Sequence, residues 1–360
     1  MDAKNYKILI IIILFVFSSC IKDKPDSKNW QYSKIDSGSV YIVCEGGYTN
    51  YDVSLYAYEP IKDSVYGDLF FKPNNLNNSC DVFQNMTKIG NNFFFLINNS
   101  NKIIVSDAVS LKPIASISIP QPRYILPLGN NKAYVTSLYS NKVYIINTLT
   151  YTVTGILNLP NVNTESMCLY NNSVIICTWD TTCNKVYKIN TQNDKIVGTL
   201  KVTGKAPQET LIDNEGTIWV LAGNQPMGKT ATLTRIDTLT GEILHSFTFP
   251  ADANPIKLIT NNTKDSLYFI EADYSGKSSN NGIYRMGTND NQLPENAFIS
   301  ALPNQYFYAI GIDPVNGTIF IGDPVGFSVG GGTVYAYNPT GTFIKKFKVG
   351  IGPGHFYFDK

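Results

Sequence analysis

The sequence predicts an all-β protein, a seven-bladed β-propeller with four antiparallel strands per blade, and two observations support this. First, residues 124–160 contain four short runs rich in β-branched and aromatic residues, separated by Asn/Gly turns, a pattern typical of an antiparallel meander. Second, the second run recurs seven times, 53, 40, 41, 43, 49 and 52 residues apart, starting at Val40, Phe93, Ala133, Val174, Thr217, Ser266 and Thr318. A period of about 40–50 residues favours a propeller over a large β-sandwich or two stacked β domains.

The first blade lacks its own first strand. Its predicted strands Ser39–Cys44, Val53–Tyr58 and Ser64–Phe71 have no strand-like run before them. The C-terminal segment Pro353–Phe358 has the pattern of the first strand of blade 3, Pro122–Pro127. We therefore expect the C-terminal strand to close the ring in blade 1, which removes exposed sheet edges. The predicted propeller spans residues 38–360.

The N-terminus predicts a lipoprotein signal peptide over residues 1–19. Lys4 and Lys7 precede the apolar run Ile8–Phe17, which is too short for a membrane-spanning helix. Small residues then precede Cys20, as in a bacterial lipobox, so we expect lipidation at Cys20; the alternative is an ordinary secretory signal. Residues 20–37 would form the lipid anchor and tether, and we expect membrane contact through that anchor only.

Composition argues against a nucleic-acid partner. After removal of residues 1–19, 27 basic and 27 acidic residues remain, so no excess positive charge is available for phosphates. The remaining cysteines are odd in number: Cys44, Cys80, Cys168, Cys177 and Cys183. Cys177 and Cys183 flank a tight loop and would allow one bridge, whereas free cysteines packed as small apolar residues are the alternative.

Motifs of catalysis are scarce in this sequence. It contains no His/Glu metal motif, and we predict that the protein is not an enzyme and needs no cofactor or metal. A set of carboxylates that end or follow second strands is an enzymatic signal: Glu45, Asp180, Glu271, Asp273 and Asp323. Loop chemistry also explains acidic residues at such positions. Of the two histidines, we expect His245 on an outer strand and His355 in the closing strand.

The predicted ligand-binding face is formed by the loops between second and third strands, together with the loops between blades. In blades 1, 5, 6 and 7 these second-to-third loops are long. Aromatic and amide side chains predominate among them, which suits a large neutral amphipathic ligand or a protein partner. The predicted site residues are Tyr48, Asn50, Tyr51, Arg123, Tyr139, Trp179, Gln208, Gln225, Asp273, Tyr274, Tyr306 and Phe327.

Several segments resemble a known family. Residues 45–58 (EGGYTNYDVSLYAY), 165–179, 206–221 and 332–358 resemble YncE-like surface propellers of Bacteroidetes, in particular the lipoproteins that capture cobalamin beside an outer-membrane TonB-dependent transporter. The charged tether Lys22–Asp26 likewise resembles the export signal of surface lipoproteins. The resemblance implies an outer-membrane, cell-surface lipoprotein without catalytic activity that binds a corrinoid and passes it to the transporter. Alternatives are a scaffold for a protein or glycan partner, or a lactonase-like or quinoprotein-like enzyme.

Overall fold

The computed structural model describes residues 35–272, 280–327 and 329–359, and these form 28 strands in seven four-stranded sheets. The predicted signal peptide, Cys20 and the greater part of the tether lie outside the described residues. A single turn of 3-10 helix, Gln225–Met227, lies in one loop, and the residues Val325–Phe327 form a left-handed turn in another.

Each sheet is one blade, and its strands run in the following order from the innermost to the outermost. Blade 1 contains β28 (Pro353–Phe358), β1 (Val40–Cys44), β2 (Ser54–Glu59) and β3 (Ser64–Tyr66). Blade 2 contains β4 (Phe83–Ile89), β5 (Asn92–Ile97), β6 (Lys102–Asp107) and β7 (Pro113–Ser118). Blade 3 contains β8 (Pro122–Gly129), β9 (Lys132–Ser137), β10 (Lys142–Asn147) and β11 (Thr152–Asn158). Blades 4 and 5 are β12 (Thr164–Tyr170), β13 (Ser173–Thr178), β14 (Lys185–Asn190), β15 (Lys195–Lys201); and β16 (Pro207–Ile212), β17 (Ile218–Ala222), β18 (Thr232–Ile236), β19 (Ile243–Thr248). Blades 6 and 7 are β20 (Pro255–Thr260), β21 (Ser266–Glu271), β22 (Gly282–Gly287), β23 (Ile299–Ser300); and β24 (Ala309–Ile312), β25 (Ile319–Asp323), β26 (Gly332–Tyr337), β27 (Phe343–Val349).

The innermost strands contact one another in a closed cycle, β4–β8–β12–β16–β20–β24–β28–β4. Such a cycle defines a propeller around a central channel. The C-terminal strand β28 pairs with β1 in antiparallel register, from Val40 opposite Phe358 to Val43 opposite His355. The predicted seven blades and the predicted ring closure are therefore confirmed.

Burial explains the residue pattern across each blade. Second strands such as β1 and β5 are almost uninterrupted apolar runs because both of their faces pack against neighbouring sheets. Outermost strands such as β11 and β15 alternate and are largely exposed. The apolar core thus lies between blades rather than in the channel; between blades 1 and 2 it contains the rings of Phe70, Phe71, Phe83 and Phe95.

Turns between third and fourth strands repeat one device. The Oδ1 atom of an Asn or Asp accepts the backbone N–H groups two and three residues later, as Asn147 and Asp237 do, which fixes a tight turn. These turns point away from the predicted binding face, and Leu149 and Leu239 are exposed at their tips.

The structure also bears on the predictions for the cysteines and for His245. All five described cysteines are free, so the predicted alternative of a Cys177–Cys183 bridge does not form. His245 lies on the outer strand β19, packed against the ring of Phe247. Among the described residues, no helix is both long and apolar enough to cross a bilayer.

We predict that the stability of the propeller depends on the position of β28 in blade 1 and not on its place in the chain. Deletion of residues 353–360 from the propeller (residues 35–360) should lower the free energy of unfolding by more than about 5 kcal/mol, because blade 1 loses its inner strand and the ring opens. Moving residues 353–359 in front of Gly38 through a short Gly-rich turn should restore stability, because the Gly38 N–H already donates to the Asp359 carbonyl at 2.6 Å. Urea denaturation of the three proteins measures this. A permutant as unstable as the deletion would contradict the closure account.

Candidate functional site: the channel mouth and its loop face

β-Bulges mark the start of the innermost strands. Within the described chain, six of the seven inner strands shift register there, and blade 7 does not. The extra residues on the bulged strands are Gln84, Arg123 and Tyr124, Glu165 and Ser166, Gln208, Lys257 and Leu258, and Gly354. A bulge redirects side chains and leaves backbone N–H groups without ladder partners. Polar residues therefore gather at the channel end nearest the loop face.

Arg123 joins three neighbouring blades at this end. Its Nε donates to both carboxylate oxygens of Glu165, at 3.0 and 3.2 Å, and its Nη1 donates to Gln84 Oε1. Both Arg123 and Glu165 are largely buried, Glu165 almost completely. Burial acts to lower the pKa of Arg123, but Glu165, Tyr124 and Glu45 together outweigh it and the pKa is raised. The guanidinium is therefore held in its charged form beside Glu165 inside the ring.

Glu209 supports the bulge of blade 6. Its carboxylate accepts the backbone N–H of Lys257 at 3.0 Å and that of Leu258, the two groups that the bulge removes from the ladder. Lys257 has a left-handed backbone (φ 58°), which costs a non-glycine residue about 1–2 kcal/mol. Glu209 thus stabilises a strained backbone conformation that directs the Lys257 side chain.

Lys257 Nζ lies 5.6 Å from the centre of the Tyr308 ring and 3.4 Å from the carbonyl oxygen of Gly354. Tyr308 Oη donates to Glu45 Oε2 at 3.0 Å. The other oxygen, Glu45 Oε1, is buried with no hydrogen-bond partner among the described residues. A Cβ on Gly354 would overlap this carboxylate, so the glycine makes room for Glu45. We call Glu45, Gln84, Arg123, Glu165, Glu209, Lys257, Tyr308 and His355 the channel cluster.

The channel cluster is electrostatically coupled. Desolvation raises the pKa of Glu45, and Lys257, Tyr308 and Arg123 offset part of that effect. Burial likewise raises the pKa of Glu165 and of Glu209, opposed chiefly by Arg123 and by Lys257, respectively. Burial first and the Lys257 charge second lower the pKa of His355 to about 4. The ammonium of Lys257 thus influences four members of the cluster.

Exposed apolar side chains lie on adjoining loops above the cluster. The loop after β1 exposes Tyr48 (72 %) and Tyr51 (47 %), and the loop after β25 exposes Phe327 (41 %) and Val329 (96 %). These loops meet at Gly352, where a Cβ would overlap the Phe327 ring and lie 3.6 Å from the Gly46 carbonyl oxygen. We call these four exposed residues the blade 1–7 patch. The Phe327 ring also contacts Tyr308 edge-on, with centroids 5.4 Å apart, so the patch borders the channel cluster.

Other predicted site residues differ in their surroundings. Tyr139 is exposed on the blade 3 loop, where its N–H donates to Asn163. Asn50 is exposed beside Tyr51, and Trp179 and Tyr306 are partly buried. Gln225 begins the 3-10 helix of blade 5. Asp273 and Tyr274 lie outside the described residues.

Two of the predicted site residues, Gln208 and Arg123, do not present their side chains on the loop face as predicted. Gln208 is buried and bridges blades 5 and 6, since its Nε2 donates to the carbonyls of Gly223 and Pro255. The Arg123 side chain likewise bonds inside the ring to Glu165 and Gln84. Both start inner strands beside inter-blade loops, but the bulges turn them inwards, so neither side chain is free on the loop face.

The carboxylates at the ends of second strands are held by loop groups. Asp180 accepts from Thr182, Glu271 from Asn254 and Asp323 from Val325. No group of three or more His, Cys, Asp or Glu residues within the described ranges is arranged to hold a metal ion. Glu45 differs because it reaches the channel cluster.

Sequence reasoning missed Gln84, Glu165, Glu209, Lys257 and Tyr308. One signal would have found three members of the cluster. Glu209, Lys257 and His355 each stand two residues after a proline that starts an inner strand, in Pro207–Glu209, Pro255–Lys257 and Pro353–His355. Charged or imidazole side chains recurring at one repeat position near the channel indicate a shared site.

The fold and the residues at the channel mouth define the class of protein: a seven-bladed propeller with a polar, charged channel end beneath an aromatic loop face. Residues 38–359 match the family described as Domain of unknown function (DUF5074), and the chain belongs to that family. No curated protein matches the sequence significantly.

Solved structures with this fold include proteins of several names. A protein from Lactobacillus plantarum is 13 % identical, with a TM-score of 0.66 over 89 % of this chain and 100 % of that one. The periplasmic gluconolactonase of Pseudomonas aeruginosa is also 13 % identical, with a TM-score of 0.66 over 89 % and 99 %. A putative 6-phosphogluconolactonase from Bacteroides fragilis is 10 % identical, with a TM-score of 0.65 over 89 % and 98 %. At these identities the likeness shows the fold alone.

We predict that His355 makes the folded protein less stable as the pH falls. Its pKa of about 4 in the folded protein lies below the value of about 6.5 expected when unfolded. Between these values the unfolded chain takes up a proton that the folded protein does not, so the imidazole lowers stability as the pH falls. The free energy of unfolding of the wild type should therefore drop by about 3 kcal/mol more than that of His355→Gln between pH 7 and pH 4. Denaturant titrations at both pH values measure this, with His245→Gln as the control. Parallel pH profiles of wild type and His355→Gln would refute the buried-imidazole account.

We also predict non-additivity between Arg123 and Glu165. Glu165→Ala should cost about 3–5 kcal/mol because it leaves the buried guanidinium without its carboxylate. The double variant Arg123→Met/Glu165→Leu should lose much less than the sum of Arg123→Met and Glu165→Leu measured singly. Chemical denaturation of the cycle tests this, and strictly additive losses would mean that the pair is not coupled.

Proposed function

We propose that the protein is a non-catalytic binding protein that takes a large, neutral, amphipathic small molecule on its loop face, with cobalamin or a related corrinoid as that ligand. One observation carries the proposal: the blade 1–7 patch gathers exposed aromatic and aliphatic side chains on two adjoining loops at the rim of a polar channel mouth. Single exposed apolar residues are normal, but apolar side chains brought together beside polar groups are typical of binding sites.

The chemistry of the rim supports an amphipathic ligand. The patch offers apolar surface, and the amides of Asn50 and Asn304 are exposed on loops of the same face. A corrinoid presents apolar ring faces edged by amides, which match aromatic stacking and amide hydrogen bonds. Because the ring of blades is closed, its loops are held on a rigid base, which reduces the entropy lost on binding. The choice of a corrinoid among amphipathic ligands comes from the resemblance to cobalamin-capturing surface propellers.

The same resemblance supports a location and a partner. We propose that Cys20 carries the lipid that anchors the chain at the outer membrane, with the propeller at the cell surface. A TonB-dependent outer-membrane transporter is the proposed receiver of the ligand. In this arrangement the protein captures the ligand and the transporter moves it across the membrane.

Calorimetry with cyanocobalamin tests the binding function. We expect the soluble chain starting at Ser27 to bind, and Tyr48→Ala/Phe327→Ala to bind at least tenfold more weakly, which is about 1.4 kcal/mol, because both rings would be lost from the rim. Leu149→Ala/Leu239→Ala is the matched control, since it removes exposed apolar side chains from the opposite face and should leave affinity unchanged.

Two outcomes would count against the proposal. Absence of heat and of any shift in melting temperature at micromolar cyanocobalamin would remove corrinoids as ligands. Equal weakening by the loop-face and opposite-face variants would mean that the blade 1–7 patch is not the binding surface.

A further inference from the structure

We propose a second binding site, inside the channel cluster, for the zwitterionic head of a free α-amino acid, with Glu45 accepting its ammonium and Lys257 donating to its carboxylate. This site lies below the loop face and does not depend on the function proposed above. It is assigned from groups that the fold buries but does not use.

Glu45 has unused hydrogen-bonding capacity in a buried position. The residue is 7 % exposed, and while Oε2 accepts from Tyr308, Oε1 has no donor among the described residues. A buried polar atom of this kind destabilises the folded protein unless a partner satisfies it. The Glu45 carboxylate occupies the position that a side chain at residue 354 would fill, so Oε1 lies beside Gly354, whose carbonyl oxygen Lys257 Nζ also contacts.

Lys257 is the complementary group. Among the described residues its Nζ makes no ion pair, and its one hydrogen bond is the long contact of 3.4 Å to the Gly354 carbonyl. An ammonium can donate three hydrogen bonds. The backbone of Lys257 is also strained, because it is left-handed. Two hydrogen bonds hold it in this conformation, donated to Glu209 by the N–H groups of Lys257 and Leu258. Strain of this kind concentrates at functional sites.

The charges of the cluster select the ligand class. Arg123 and Glu165 satisfy each other, and Glu209 is occupied by backbone N–H groups. The remaining pair is one carboxylate and one ammonium that meet at Gly354 without contacting each other. A simple anion would leave Glu45 Oε1 unsatisfied, and a metal cation would be repelled by Lys257. A molecule with an ammonium and a carboxylate on one carbon atom satisfies both, and an α-amino acid is such a molecule.

The test is a thermal-shift and calorimetric screen of the twenty proteinogenic L-amino acids, each at about 10 mM, against the whole chain. We expect at least one to raise the melting temperature and to release or absorb heat on binding. Its N-acetyl derivative and its methyl ester, which each lack one charge, should bind at least tenfold more weakly. Glu45→Gln and Lys257→Met should weaken binding to a similar degree, whereas the exposed controls Glu242→Gln and Lys346→Met should not.

A stability measurement separates binding from structure. Because Glu45 is a buried carboxylate with an unsatisfied oxygen, Glu45→Gln should leave the melting temperature of the ligand-free protein equal or higher while abolishing the amino-acid response. The proposal fails if no amino acid shifts the melting temperature or gives heat, if the blocked derivatives bind equally well, or if Glu45→Gln destabilises the protein without changing affinity. Cyanocobalamin binding, measured separately, is unaffected by any of these outcomes.

Discussion

The pairing of β28 with β1 is the contact on which both the fold and the site depend. It closes the ring of inner strands, and its bulge puts Gly354 against the carboxylate of Glu45. The segment that leads into β28 also lies between the loops of blades 1 and 7, since the Glu45 and Gly46 N–H groups donate to the carbonyls of Gly352 and Ile351. One strand therefore completes the core of blade 1, the channel cluster and the base of the blade 1–7 patch.

The bulges convert a regular repeat into a polar mouth. A regular strand would direct alternate side chains into the packing between blades, whereas the extra residue in each bulge turns Gln84, Arg123, Glu165 and Lys257 towards one another. Buried charges of this kind seldom add net stability over apolar residues of the same size. This arrangement is the basis of the amino-acid site that we propose.

Features that repeat along the sequence could be predicted from it, whereas features that depend on how two strands pair could not. The seven blades and the C-terminal closure were predictable because a four-stranded unit repeats in residue type and spacing, and the Pro353–Phe358 segment matches the missing strand. The bulges were not, because a bulge is a mismatch in residue count between two strands, which neither strand shows alone. For this reason the sequence pattern alone places Arg123 and Gln208 on the loop face. The cysteine pairing also stayed open, since it depends on distances between Cα atoms that spacing in sequence does not set.

The central claim is that the loop face over the blade 1–7 patch is the ligand-binding surface. A crystal structure of the chain grown with cyanocobalamin tests this most directly. The account predicts density for the corrin ring against Tyr48, Tyr51 and Phe327, at the rim of the channel. Density on the opposite face, beside the turns that carry Leu149 and Leu239, or a loop face without ligand at saturating cyanocobalamin, would contradict it.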